Sequence, residues 1–215
     1  MSLKQLWFPS VCAACGTELR DREHIVCRAC LDREEYRLTT PFSVRGADGA
    51  DAPLVYQGAV RRAMHAYKFQ SRRAYANGFA ACAEECLRTH LDAWQPDVMT
   101  FVPLGPGRWM KRGYNQSALV ARLVAEACGL PCEPMLRKRL GVSMQSKQPH
   151  DQRAENIRDA FRVRRNAGIA GRRVLLVDDI VTTGETAAAC VQVLRSAGAS
   201  AVYVLSMTKT PVFRR

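Results

Sequence analysis

The sequence predicts an α/β chain, in which a mostly parallel sheet is flanked by helices and a small cysteine-bearing module precedes it. Three observations carry this. Short apolar runs alternate with amphipathic helical stretches from about residue 54 to residue 207. One run, Val174 to Val177, passes straight into two carboxylates, a Thr/Gly loop and a helical pattern. Four of the nine cysteines form two Cys-x-x-Cys pairs near the start.

Composition sets the outer limits. The chain has 215 residues, of which 47% are hydrophobic and 24% charged, which excludes wholesale disorder. Its uninterrupted apolar runs are far shorter than the ~18–20 residues a membrane helix requires. The first ten residues, MSLKQLWFPS, hold no apolar stretch long enough for a signal peptide. A protein without a membrane span, located in the cytoplasm, is therefore expected.

The first element is the cysteine module. Cys12-x-x-Cys15 and Cys27-x-x-Cys30 are separated by eleven residues. In a reducing compartment such pairs read as a metal site rather than as disulfides. Each pair makes a tight turn that brings two thiolates together, and two turns supply the four soft ligands of a tetrahedral Zn²⁺. A site with four cysteines is closed, so this zinc is structural. Residues 1–50 balance seven basic against seven acidic side chains and hold little apolar material, so the metal stabilises the module. The other cysteines, Cys82, Cys86, Cys128, Cys132 and Cys190, read as buried small hydrophobes.

Ser43 to Pro53 is polar and Gly-bearing and reads as a linker, dividing the chain into a zinc ribbon over 1–45 and a larger domain over 46–215. Leu54 to Tyr56 reads as a strand. Residues 60–91 read as largely helical, with Phe79, Cys82, Ala83, Cys86 and Leu87 on one face. Asp97 to Val102 is a strand stopped by Pro103. A Gly-, Pro- and Arg-rich stretch follows from Leu104 to Asn115, then a helix with Leu119, Val120, Leu123, Val124 and Ala127 on one face and Gly129 near its end. Residues 141–154 lack periodicity and read as a long loop. Phe161 to Val163, Val174 to Val177 and Ala201 to Met207 read as strands, and Gly184 to Ala197 as a helix.

Charge is unevenly spread. The formal net charge is +12, and residues 103–173 alone hold fifteen Lys/Arg against five Asp/Glu. Such a concentration points to an anionic partner, either a phosphate ester, a pyrophosphate or a nucleic acid.

The segment Val174 to Thr186 carries the chemistry. Parallel α/β sheets bind ligands at the carboxyl ends of their strands. A helix N-terminus offers free N–H groups to a phosphate. The hydroxyls of Thr182, Thr183 and Thr186 add donors, and Gly184 allows close backbone approach. Asp178 and Asp179 would repel a second phosphate but accept hydrogen bonds from sugar hydroxyls, so a sugar phosphate is the natural ligand. Thr182-x-x-Glu185 also has the spacing of a capping box.

This thirteen-residue pattern resembles the phosphoribosyl diphosphate (PRPP) motif of type I phosphoribosyltransferases. Further blocks occur in order along the chain: the cysteine pairs, Tyr67-Lys68-Phe69, Val102 to Gln116 with Arg112-Gly113-Tyr114-Asn115-Gln116 inside it, Gln145, and Arg153 to Phe161. Together they resemble the ComF family of competence proteins over residues 7 to 207. The resemblance implies a type I phosphoribosyltransferase-like domain behind a zinc ribbon. It implies ribose contacts at Asp178 and Asp179, which would be the catalytic pair, and a 5′-phosphate loop at Thr182, Thr183, Gly184 and Thr186. It implies pyrophosphate contacts at Arg108, Lys111 and Arg112, with Mg²⁺ accompanying PRPP. Gln145 and Arg153 would belong to a hood loop over the site. Here the chain departs from the family pattern, with Ser146-Lys147-Gln148-Pro149 and Arg153-Ala154.

Two function classes follow. One is a phosphoribosyltransferase acting on PRPP with an acceptor that no motif identifies, linked to DNA uptake in natural transformation. The other is a non-catalytic competence factor that keeps this scaffold and binds single-stranded DNA, with the zinc ribbon docking DNA or a partner helicase. On individual side chains, Tyr67 reads as a core aromatic, Lys68 as lying near the site entrance, Tyr114 as packing, and Asn115 as a helix cap.

Overall fold

A computed structural model describes residues 12–15, 17–19, 25–31, 36–70, 72–139 and 160–211. The sheet is parallel and its strands are ordered β1-β7-β6-β3, where β1 is Gly49–Asp51, β3 is Val98–Phe101, β6 is Arg173–Val181 and β7 is Ala201–Lys209. A short strand β2, Leu54–Val55, also runs parallel to β7, further along it than β1. The stretch read as a linker thus contains an edge strand. Its main chain pairs with β7 whatever its side chains, which a polar sequence conceals.

Side chains alternate across the two central strands, as a period of two requires. Leu175, Val177, Tyr203 and Leu205 belong to one apolar layer, and Val174, Leu176, Val202 and Val204 to the other. The first layer is covered by helices α2 (Gly58–Phe69), α3 (Tyr75–Arg88) and α6 (Gln116–Cys128), through Val60, Met64, Phe79, Leu87, Val120 and Val124. The second is covered by helix α7 (Glu185–Ser196), through Ala187, Val191 and Leu194. Each such buried aliphatic side chain contributes roughly 1.5–3 kcal/mol. A short helix α1, Arg28–Leu31, lies in the cysteine module. That module leans on the first layer, because Cys12, Leu19, Ile25 and Val26 are buried in the same apolar cluster as Phe79.

Other expectations are refined. The single helical region at 60–91 is two helices followed by a short α4, Leu91–Trp94. The Gly-, Pro- and Arg-rich stretch holds helix α5, Pro106–Arg112, begun by Pro106 at its first position. Strand β6 continues past Val177, so Asp178 and Asp179 lie inside it. Asn115 does cap α6: its side-chain oxygen accepts from Ala118 N at 3.1 Å and its amide donates to Val102 O at 3.0 Å. Gly129 ends α6 in the left-handed conformation, with φ +67°. Strand β5, Phe161–Val163, pairs antiparallel with β4, Leu136–Lys138, which the periodicity does not predict. Cys82 and Cys190 are buried, whereas Cys86, Cys128 and Cys132 are half-buried. Among the described residues, no helix is long and apolar enough to cross a membrane.

Candidate functional site

The carboxyl ends of β3 and β6 open into a cleft of about 350 Å³, within the size range of small-ligand pockets. Its walls come from elements far apart in the chain. Asp178, Asp179, Thr182 and Thr186 line it from β6 and the turn into α7. Arg108 and Arg112 line it from α5, Lys68 from α2, and Lys138 and Phe161 from the β4–β5 ribbon.

The two carboxylates are held differently. Asp178 is 6% exposed, and its Oδ1 accepts from Asp179 N at 2.8 Å. Burial, and then the adjacent Asp179, raise its carboxyl to about 7. Asp179 points to the other face of the sheet, where Lys68 Nζ lies 2.8 Å from its Oδ1. Lys68 comes from the last turn of α2. Tyr67 beside it is fully buried and donates to Gln116 O at 3.1 Å, while the Tyr114 hydroxyl donates to the Tyr67 carbonyl. These bonds fix the end of α2 against the start of α6, and with it the position of Lys68.

After Val181 the chain turns through Thr182, Thr183 and Gly184. Gly184 takes φ +83° at the N-cap of α7, a conformation that costs other residues about 1–2 kcal/mol. No side chain caps this helix; Glu185 instead pairs with Arg45 at 2.6 Å, so the Thr182–Glu185 capping box does not form. The N–H groups of the first turn consequently have no intrahelical partner and suit an anion. Lys209 Nζ braces the turn from below, donating to Thr182 O and Thr210 O, each at 2.9 Å.

The opposite wall is cationic. Arg108 and Arg112 are one helical turn apart on α5, and Arg112 Nη1 donates to Gln116 Oε1 at 3.1 Å. Burial, with Arg108 nearby, lowers the pKa values of both Arg112 and Lys138, as expected where like charges are held together. An added anion relieves that repulsion. The cleft can therefore hold a ligand with hydroxyls at one end and phosphate charge at the other.

Of the residues singled out from sequence, Asp178, Asp179, Thr182, Thr186, Arg108 and Arg112 line this cleft. Thr183 and Gly184 shape the turn without lining it, and Lys111 is exposed on α5 away from the lining. Gln145 and Arg153 lie outside the described residues. Lys138 and Phe161 are additions. Lys138 was hidden because β4 carries no alternating apolar pattern; the basic excess over 103–173 was its one signal.

The four cysteines of the N-terminal module converge, with their sulfurs all within 4.8 Å of one another and Cys15 Sγ 3.7 Å from Cys27 Sγ. Four ligands at 2.3 Å around a tetrahedral ion would stand about 3.8 Å apart. The backbone N–H groups of Cys27 and Ala14 point at Cys12 Sγ, at 3.3 and 3.4 Å. Hydrogen bonding with Thr17 brings Cys15 down to about 6, whereas burial and the neighbouring thiols push Cys30 up to about 12. Four crowded thiols cannot all ionise unaided, and a bound dication removes that conflict. The cluster can bind a metal ion.

The parallel sheet, the cleft at its carboxyl ends and the Thr/Gly turn define an α/β protein of the type I phosphoribosyltransferase fold, and residues 119–210 match the phosphoribosyl transferase domain family. The chain is 30% identical over 210 residues to the DNA utilization protein YhgH of Escherichia coli (strain K12), covering 94% of this chain and 85% of that one. It is 30% identical over 158 residues to Competence protein ComFC of Streptococcus pneumoniae, covering 74% of this chain and 67% of that one. The chain belongs to the ComF family. Among solved structures, it is similar to the glutamine PRPP amidotransferase of B. subtilis, with 29% identity and a TM-score of 0.43. That match covers 67% of this chain and 30% of the amidotransferase.

Proposed function

We propose that the cleft binds PRPP, and that the chain is a phosphoribosyltransferase-like protein serving DNA uptake. The observation that carries this is the pairing, across one cleft, of Asp178 and Asp179 with Arg108, Arg112 and Lys138. In this reading the two carboxylates accept the ribose hydroxyls, and the turn through Thr182, Thr183, Gly184 and Thr186 takes the 5′-phosphate. Arg108 and Arg112, joined by Lys138, take the diphosphate. Lys111 contributes long-range charge.

Mg²⁺ suits the border between the carboxylates and the diphosphate, because its ligands are oxygens; when bound it would neutralise charge on the departing pyrophosphate. The chain's own residues do the rest. Lys68 pairs with Asp179 and fixes its position, the cationic wall stabilises charge that grows as the C1–O bond breaks, and little acid–base machinery is required. Gln145 and Arg153 belong to a hood loop over this cleft. Residues 1–45 form a zinc ribbon held by Cys12, Cys15, Cys27 and Cys30, residues 46–215 form the catalytic-type domain, and the protein works in the cytoplasm.

The test is calorimetric titration of the zinc-loaded protein with PRPP and Mg²⁺, beside the Asp178→Asn/Asp179→Asn variant. Saturable binding that the variant loses supports the reading. Equal binding by both proteins overturns the site.

A second reading has an observation of its own. Phe69, Trp109 and Met110 are 60%, 56% and 81% exposed. Arg112 lies 4.8 Å over the Phe69 ring, and Trp109 shares α5 with Arg108 and Arg112. Aromatic faces interleaved with cations suit single-stranded DNA. The Escherichia coli relative is named a DNA utilization protein and the Streptococcus pneumoniae relative a competence protein, which favours a DNA-linked role; in this reading a competence helicase is a partner. Binding of a labelled oligonucleotide that weakens steeply with salt and with Trp109→Ala supports it; a flat salt response removes it.

A further inference from the structure

Away from the cleft, at the edge of the sheet, three side chains of different chemistry meet. Asp51 ends β1, Cys86 sits in the last turn of α3, and His90 follows four residues later, where the chain still turns helically: Thr89 N donates to Cys86 O and His90 N to Leu87 O. Spacing of i to i+4 puts Cys86 and His90 on one face. A carboxylate oxygen, the thiol sulfur and a ring nitrogen of this trio all lie within 4.8 Å of one another.

We propose that Asp51, Cys86 and His90 form a second metal site, distinct from the four-cysteine cluster, for a borderline divalent cation of the zinc class.

The donor set selects the metal. One oxygen, one sulfur and one nitrogen exclude Mg²⁺ and Ca²⁺, which take oxygen, and match Zn²⁺ or Co²⁺. Three protein ligands leave a fourth position for water. The charges cancel, with one carboxylate and one thiolate against a dication beside a neutral imidazole. Among the interactions acting on Cys86, burial comes first and the carboxylates of Asp51 and Glu85 add to it; all of them push the thiol up. A dication reverses that, so Cys86 forms its metal–sulfur bond and its proton leaves to solvent, one proton per ion bound.

The surrounding groups orient the ligands. Asp51 Oδ1 accepts from Ala52 N at 2.7 Å, which leaves Oδ2 turned to His90 Nε2 at 2.6 Å. The His90 ring stacks on Trp94 with centroids 4.3 Å apart and planes within 7°, and Trp94 stacks on Tyr203 of β7. Such outer contacts fix ligand geometry before the ion arrives. The side chains of His90 and Asp51 are 30% and 33% exposed, so ions reach them from solvent. Ligands at ~2.0–2.1 Å in a tetrahedron stand about 3.3 Å apart, so Oδ2 and Nε2 part by less than ~1 Å on binding. The ion then ties the edge strand to α3.

The experiment uses the full chain with its four-cysteine cluster already loaded with zinc, titrated with Co²⁺ at pH 7.5. The expected result is uptake of one further equivalent, with visible bands of four-coordinate cobalt, one thiolate charge-transfer band, and quenching of Trp94 emission. Cys86→Ala and Asp51→Asn should each weaken that uptake at least ~10-fold. His90→Phe should do the same while keeping the stack on Trp94, so loss of binding there is not loss of fold. Absence of uptake at ten-fold excess overturns the site. So does uptake that is unchanged in the three variants, which would be exchange into the four-cysteine cluster.

Discussion

Lys68 Nζ stands 2.8 Å from Asp179 Oδ1, both side chains being more than four-fifths buried. It is the cation that lets two adjacent carboxylates share one strand. Without that ion pair, Asp179 keeps Arg112 as a cationic neighbour, but its charge stands beside Asp178 with less compensation, and like charges in a buried setting disfavour ionisation. Lys68→Met is expected to destabilise the protein by about 1–3 kcal/mol at pH 8, since the surviving charge loses its partner. Asp179→Asn in the same chain should restore most of the loss. Thermal denaturation of the parent and these two variants at pH 8 checks this; a loss that Asp179→Asn leaves in place would make Lys68 a packing residue only.

Asp178 gives the opposite sign. Its carboxyl stands at about 7 in the folded protein, against an ordinary value near 3.8. The folded state therefore holds its proton longer than the unfolded chain does. The contribution to stability is complete below pH 4 and is lost as pH rises through 7. Asp178→Asn keeps the favourable neutral form at every pH. It should match the parent near pH 4 and exceed it at pH 8 by several degrees in Tm, a few kcal/mol being worth ~2–4 °C each in a chain of this size. If the PRPP reading is right, the same variant binds PRPP at least ~10-fold more weakly, a residue trading stability for function. A variant less stable than the parent at pH 8 would show that the charge is needed for folding.

The cationic wall can be tested residue by residue. Arg108 and Lys138 line the cleft, whereas Lys111 on the same helix as Arg108 does not. Arg108→Met and Lys138→Met should each weaken binding of inorganic pyrophosphate by about 10-fold, and Lys111→Met by less than ~2-fold, in line with 1.5–3 kcal/mol for a hydrogen bond to a charged group. Competition calorimetry separates them. Equal effects at all three positions would reduce the wall to diffuse charge.

This contrast also marks what was legible in the sequence. Asp178, Asp179 and the Thr/Gly turn are contiguous, and their local chemistry is written in order along thirteen residues. Asn115 was legible as a cap for the same reason. Lys138 was not, because its place in the cleft depends on β4 pairing with β5, and Leu136-Arg137-Lys138 has one apolar residue and no alternation. Lys68 was legible as near the site but not as the partner of Asp179, since nothing local to α2 records what faces its last turn. Gly49–Asp51 reads as linker in the sequence because an edge strand can be polar and Gly-bearing when its main chain supplies the pairing. The resemblance groups Lys111 with Arg108 and Arg112; helix α5 places Arg108 and Arg112 in the cleft lining and Lys111 outside it.

If the four-cysteine cluster holds zinc as proposed, removing the ion should reach beyond the module. Cys12, Ile25 and Val26 are 2%, 1% and 0% exposed and pack in the apolar cluster that also holds Val60, Met64 and Phe79. Among the described residues of the module, α1 is the one regular element, so a metal held by the four sulfurs would fix its course. Once the ligands are free, the turns relax, and the outer faces of α2 and α3 lose their cover. Chelation, or Cys12→Ser with Cys15→Ser, is expected to lower Tm by about 5–10 °C, equivalent to ~2–3 kcal/mol in a chain this long. Binding of a hydrophobic dye should rise at the same time. The helix content should fall little, because α6 packs on the sheet through Val120 and Val124, and α7 packs in the other layer. Calorimetry with and without chelator, beside the double variant, measures this. An unchanged Tm would mean that the four cysteines are held by the packing of Ile25 and Val26 and need no ion.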